Sequence, residues 1–126
     1  MGWRSSLEIF DLAAGEARVV LQTPRLIEAP NWHPEGWFLV NGDGRLWRAT
    51  AEGLSLIDTG LSEACNNAHG FLPDGRIVFS AHDASGSGIH LWDGQGVRTL
   101  PLPRPSWWHG AHGDRIAYAC ARGDRT

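Results

Sequence analysis

A turn followed by a strand recurs three times along this chain of 126 residues, and this repeat limits the possible folds more than any other feature. The copies lie at a period of 39 residues and are Glu35–Val40, Asp74–Phe79 and His112–Tyr118. A second element, an aliphatic residue followed by an aromatic one, recurs at Ile9-Phe10, Leu46-Trp47 and Leu91-Trp92. A period near 40 residues, with short strands between Gly/Asp turns, is typical of β-propellers, whose blades are four-stranded sheets.

The order of these elements predicts how the blades are divided along the chain. Alternating apolar and polar residues indicate strands, and Gly, Asp and Asn clusters indicate turns. They predict an outer strand pair in 1–28, a whole blade in 29–60, a second whole blade in 61–104 and an inner strand pair in 105–126. Within the second blade, Asp83–Ser87 is predicted to be a Gly/Ser loop. We therefore expect an all-β chain with three blade-equivalents: two whole blades and two half blades.

Three blades are too few to close a ring, because propellers use about 4 to 8. An open arc would leave apolar sheet faces and an unpaired strand edge exposed. We expect two copies to form a six-bladed homodimer by strand exchange, in which 1–28 of each copy completes the last blade of the other. A two-fold axis would relate the copies and close the assembly. The alternative origin, a natural or engineered fragment of a longer six-bladed protein, leads to the same dimer.

Composition and charge narrow the possible partners. The chain has 11 basic and 14 acidic residues and a net charge of −3, so it lacks the basic stripe of a nucleic-acid-binding protein. No segment approaches the roughly 18 apolar residues of a membrane span, and no apolar stretch of secretory length opens the chain. We expect a cytoplasmic protein without membrane or nucleic-acid partners. Cys65 and Cys120 are predicted to be buried free thiols.

Two turns connect the repeat to a known family. Trp32–Gly36 and Phe71–Gly75 resemble the aromatic-x-Pro-Asp-Gly motif of TolB-like propeller repeats, which are similar to WD repeats. The aliphatic-aromatic pattern of Ile9-Phe10-Asp11 and Leu91-Trp92-Asp93 resembles that of an outer strand in the same family. The third copy of the turn, Ala111–Asp114, has neither the aromatic residue nor the Pro. The resemblance covers nearly the whole chain, and it implies a propeller that binds a partner and performs no chemistry.

The candidate ligand-binding residues lie in the predicted innermost strands and nearby loops. His69 and His109 each stand five residues before a turn Asp, and innermost strands line the central channel of a propeller. The set comprises His69, His109, Asn31, Asn66, Asn67, Trp107 and Trp108. We expect one of the two adjacent tryptophans to point toward a channel mouth and to suit a peptide or small polar ligand. Trp47 and Trp92, which recur with the repeat, are expected to pack between blades.

No catalytic residue, metal ligand or cofactor site is assigned. The sequence has no Gly-x-Ser-x-Gly elbow and no His-Glu-x-x-His motif. We therefore expect a non-catalytic scaffold or a module that binds a ligand or protein. The alternative is a metal-binding or hydrolytic site in the channel, built from His69 and His109, because imidazoles bind transition metals and anions.

Overall fold

The computed structural model describes residues 2–61 and 64–123. These residues form twelve strands in four antiparallel sheets and no helix, which confirms the predicted all-β class. The chain divides into two compact units, Met1–Ile57 and Asp58–Thr126. Over the described ranges, no helix is long and apolar enough to cross a membrane.

Unit 1 contains a two-stranded and a four-stranded sheet. The strands are β1 (Ser5–Asp11), β2 (Glu16–Thr23), β3 (Glu28–Trp32), β4 (Phe38–Gly42), β5 (Arg45–Thr50) and β6 (Gly53–Ile57). Strands β1 and β2 form a separate hairpin, and β3 to β6 follow each other in order across one sheet. A tight turn follows β4, in which Asp43 and Gly44 have φ of +53° and +73°. Two successive positive φ angles are what a two-residue type I′ hairpin turn requires.

One hydrophobic cluster of unit 1 lies between the hairpin and the sheet. Its buried residues are Leu7, Phe38, Val40 and Ala49. Trp47 packs against this cluster; its indole Nε1 donates a hydrogen bond to the Gly42 carbonyl at 2.9 Å, and the Arg25 guanidinium lies 4.4 Å from the ring centroid. The hairpin is therefore attached to its sheet by apolar packing through one of its two faces.

Unit 2 repeats this plan in the opposite order. Its strands are β7 (Ala64–Phe71), β8 (Ile77–Asp83), β9 (Gly86–Trp92), β10 (Val97–Thr99), β11 (Ser106–His112) and β12 (Arg115–Cys120). Strands β7 to β10 form the four-stranded sheet, and β11 and β12 form the hairpin. The prediction of a loop over Asp83–Ser87 is wrong, because Asp83 pairs with Gly86 across a two-residue turn. The turn is this short because Asp83 accepts the amide of Ser85 at 2.7 Å and Gly86 adopts a φ of +97°.

Apolar packing and an ion pair to the segment before β11 hold unit 2 together. Val78, Ile89 and Leu91 form its buried cluster, and Trp108 and Ile116 of the hairpin pack against them. On the segment between β10 and β11, the Arg104 guanidinium lies 2.7 Å from the Asp83 carboxylate and donates to the Gly86 carbonyl at 3.2 Å. The hairpin and the segment before it are thus both fastened to the sheet.

In chain order the four sheets have two, four, four and two strands. In the recurring pair, the aliphatic members Leu46 and Leu91 are buried, whereas Trp47 and Trp92 are half-buried. Cys65 and Cys120 are free thiols, as predicted, but they are half-buried and not buried. The domain boundaries, the ring of six blades and the strand exchange stay predictions.

Candidate functional site

The predicted inner strands are irregular where the candidate residues lie. Strand β3 changes register between Glu28 and Asn31, β7 between Cys65 and His69, and β11 between Trp108 and Gly110. Bulges re-aim side chains and are frequent beside functional sites. Asn31, in unit 1, follows the first of these bulges; it is half-buried and pairs with Leu39 of β4.

His69 and His109 do not occupy equivalent places in their sheets. One residue after each, Gly70 pairs with Val78 and Gly110 pairs with Ala117. The preceding pair in each ladder differs. In β7 it joins His69 to Phe79, whereas in β11 it joins Trp108, and not His109, to Tyr118. His109 is the extra residue of the bulge and is exposed, so the equivalence predicted from spacing is wrong.

His69 is the buried member of the pair, with 2% of its surface exposed. Burial lowers the pKa of His69 to about 4, since desolvation penalises the charged imidazole more than a backbone hydrogen bond favours it. The imidazole is therefore neutral at pH 7. Within residues 2–61 and 64–123 there is no group of three or more His, Cys, Asp or Glu that could hold a metal ion. The metal-binding alternative receives no geometric support from this part of the chain.

The remaining candidates in unit 2 have different surroundings. Asn66 donates from Nδ2 to Ser87 Oγ at 3.3 Å, whereas Asn67 is exposed. Trp107 and Trp108 are both half-buried. The Trp108 backbone amide donates to Ser80 Oγ at 3.0 Å, which fixes β11 against β8.

The Trp108 ring also lies against Gly70, where a Cβ atom would collide with it. Its buried indole Nε1 has no hydrogen-bond partner among the described residues. Trp108 is therefore a packing residue between hairpin and sheet, and the exposed candidates in unit 2 are Asn67 and His109.

A groove of about 390 Å³ in unit 2 contains residues that the sequence analysis did not select. It lies between the β7–β10 sheet and the β11–β12 hairpin, and we call it the arginine groove. Its apolar side chains include Leu72, Leu91, Leu100 and Ile116, and its charged ones are Asp74, Arg76, Arg98, Asp114 and Arg115. Arg98 and Arg115 belong to different sheets, so their spacing in sequence gives no sign that they share a groove.

The charges of the arginine groove are not balanced. Arg76 donates from Nε to Asp74 at 3.0 Å and from Nη2 at 2.9 Å, which lowers the pKa of Asp74 and raises that of Arg76. Arg98 and Arg115 form no ion pair with any described residue. Asp114 is the one further carboxylate in the lining, so the groove has an excess of positive charge.

Unit 1 has a smaller cavity of about 270 Å³ with acidic residues along its lining. It runs beside β1, whose Leu7 and Glu8 line it together with Glu28 and Val40. Neither cavity combines a nucleophile, a base and an orienting group in hydrogen-bonding contact within the described residues. Both border two-stranded sheets, and their charges are of opposite sign.

Comparison with known proteins gives two relatives, and no family model matches the sequence. The uncharacterized protein Atu1656 of Agrobacterium fabrum (strain C58) is 41% identical over 115 residues, which cover 85% of this chain and 39% of that protein. The solved structure of the protein named "putative TolB" from Agrobacterium tumefaciens superposes with a TM-score of 0.87 at 39% identity. That superposition covers 97% of this chain and 48% of the solved chain.

The chain therefore has a TolB-like all-β fold, in agreement with the resemblance of its turns. It spans less than half the length of either relative.

Proposed function

We propose that this chain forms half of a six-bladed TolB-like propeller, that a second copy completes the ring, and that the ring is a non-catalytic module that binds a ligand or protein. The observation that supports this most directly is the pair of two-stranded sheets, β1–β2 and β11–β12. Each has half the strands of the neighbouring four-stranded sheets.

The strand edges favour joining β12 of one copy to β1 of the other. In unit 2 the inner hairpin ends at β12, which has no second neighbour among the described strands. In unit 1 the outer hairpin begins at β1, which likewise pairs on one side alone. Strand β12 has 6 residues and β1 has 7, so the two could pair over nearly their full lengths. The order β11-β12-β1-β2 would then match that of the complete sheets.

The proposed binding role rests on the inner strands. In an assembled ring β3, β7 and β11 would border the channel, and all three have bulges among polar or aromatic residues. Asn67 and His109 are exposed, and in the assembled ring a peptide or small polar ligand would contact them at the channel mouth. The cytoplasmic location expected from the sequence stays a prediction.

Light scattering coupled to size exclusion tests the assembly. We expect a folded species of about twice the chain mass of 13.8 kDa. Amide hydrogen exchange then tests where the copies join, because pairing would protect the outward amides of β1 and β12. A folded monomer would contradict the proposal, and so would a dimer in which both edges exchange freely.

A further inference from the structure

We infer that the arginine groove is a socket for the outward face of the β1–β2 hairpin of a second copy, with Phe10 against the leucines and Glu8 beside the guanidinium groups. This inference rests on the proposed assembly and adds the side chains that select the partner. It gives a role to the arginine groove, which none of the candidate channel residues lines.

The outward face of the hairpin follows from strand alternation. Leu7 and Ile9 turn toward the core of unit 1, so Glu8 and Phe10 point away from it. Ser6 lies on the same outward side, because its Oγ donates to Glu8 Oε2 at 2.7 Å. This contact also restrains the Glu8 carboxylate at the surface.

Cross-strand pairing extends this face onto β2. Glu8 is opposite Val19, and Phe10 is opposite Ala17. Phe10 is 57% exposed and Val19 is 49% exposed. The hairpin thus presents an apolar patch with one carboxylate, on the side opposite the face that already packs in unit 1.

The arginine groove has the complementary composition. Leu91 and Leu100 form part of its wall, and Arg98 and Arg115, which have no ion-pair partner in the described part of the chain, supply positive charge. A carboxylate can accept two parallel hydrogen bonds from one guanidinium, which favours a fixed orientation of the partners. Glu8 forms no ion pair with any described residue of its own chain, so it is available for this contact.

Continuity of the proposed blade places the hairpin at this groove. Arg115 and Ile116 open strand β12, the strand whose free edge would receive β1. A hairpin added at that edge extends the β11–β12 sheet past Ile116 and over the β7–β10 sheet, which contributes Leu91. The socket is therefore the part of the sheet that β11 and β12 leave uncovered.

Charge exchange between two engineered chains tests the inference. Glu8→Arg places like charges at both junctions of its homodimer, and so does the double variant Arg98→Glu, Arg115→Glu. A mixture of the two chains restores opposite charges at both junctions. By sedimentation equilibrium we expect each homodimer to dissociate at least about tenfold more readily than the wild type, and the mixed dimer to recover nearly wild-type affinity.

Two controls keep the outcomes distinct. Glu52→Arg changes the same charge in the exposed β5–β6 turn and should leave the dimer unchanged. Circular dichroism of each chain checks folding, and Phe10→Ser tests the apolar part of the contact without altering charge.

A wild-type monomer would contradict the proposed assembly itself. A wild-type dimer whose affinity is unaffected by Glu8→Arg and Phe10→Ser, or whose loss the mixed chains do not repair, would overturn the socket alone.

Discussion

Several buried polar side chains in unit 2 have nearby hydrogen-bond partners, in contrast to the Trp108 indole. His90 Nδ1 lies 2.9 Å from Thr99 Oγ1, and the Ser106 hydroxyl donates to the Pro103 carbonyl. Ser80 accepts the Trp108 amide in the same interior. Such pairing offsets the cost of removing polar groups from water. His69 differs from the serines because it can also take up a proton, so its burial links stability to pH.

We predict that the chain loses stability as the pH falls from about 7 to about 5. The His69 imidazole has a pKa of 6.5 in the unfolded chain and about 4 in the folded chain. As the pH falls, the unfolded state therefore binds the proton first, and this binding stabilises it relative to the folded state. The expected loss from His69 is roughly 2 kcal/mol. Three carboxyl groups have lowered pKa values, so their protonation affects stability at more acidic pH; they belong to Asp74, Asp83 and Asp93. Urea unfolding at several pH values measures the slope.

A matched pair of variants isolates the histidine responsible. His69→Gln should remove most of this pH dependence, whereas His109→Gln, at an exposed position of the bulge, should retain it. Equal slopes in the two variants would show that His69 is not the group that titrates.

At the scale of the elements, the alternation of apolar and polar residues predicts where the strands lie, but it does not predict the register in which they pair. Leu7 and Ile9 follow a simple two-residue period, so β1 could be predicted from sequence. A bulge adds one residue without changing the composition of a strand, and for that reason spacing equated His109 with His69. The arginine groove was equally beyond prediction, because Arg98 and Arg115 meet only after two sheets have packed.

The contact between hairpin and sheet in unit 2 predicts a difference between two glycines. A Cβ atom at Gly70 would overlap the Trp108 ring, while one at Gly110 would meet nothing within 4 Å. The two positions are equivalent in their ladders. Gly70→Ala should therefore destabilise the chain by about 1–3 kcal/mol through overpacking. Gly110→Ala should be nearly neutral or slightly stabilising.

Chemical denaturation followed by circular dichroism measures both variants. Near-wild-type stability of Gly70→Ala would mean that β11 does not rest on β7 through Trp108.

At the scale of the whole molecule, several exposed apolar residues lie where further strands are proposed to pack. Trp32 is 57% exposed although it stacks on Phe38, with ring centroids 5.0 Å apart. Phe10 and Val19 cover the outward face of the β1–β2 hairpin. A two-stranded sheet is marginally stable unless another layer covers it. Burial of these faces at two junctions would give a contact in the range of obligate interfaces, about 2,000 Å² or more.

An obligate contact of that size predicts that folding depends on protein concentration. If the folded species is a dimer and the unfolded one a monomer, mass action favours folding as concentration rises. Raising the concentration from about 1 to about 100 μM should stabilise the folded state by roughly 2.7 kcal/mol of dimer and shift the urea midpoint upward. Dilution should yield unfolded chains, because each hairpin would lose the layer that covers it. A midpoint independent of concentration, with folded monomers at the lowest concentration, would show that each chain is stable without a second copy.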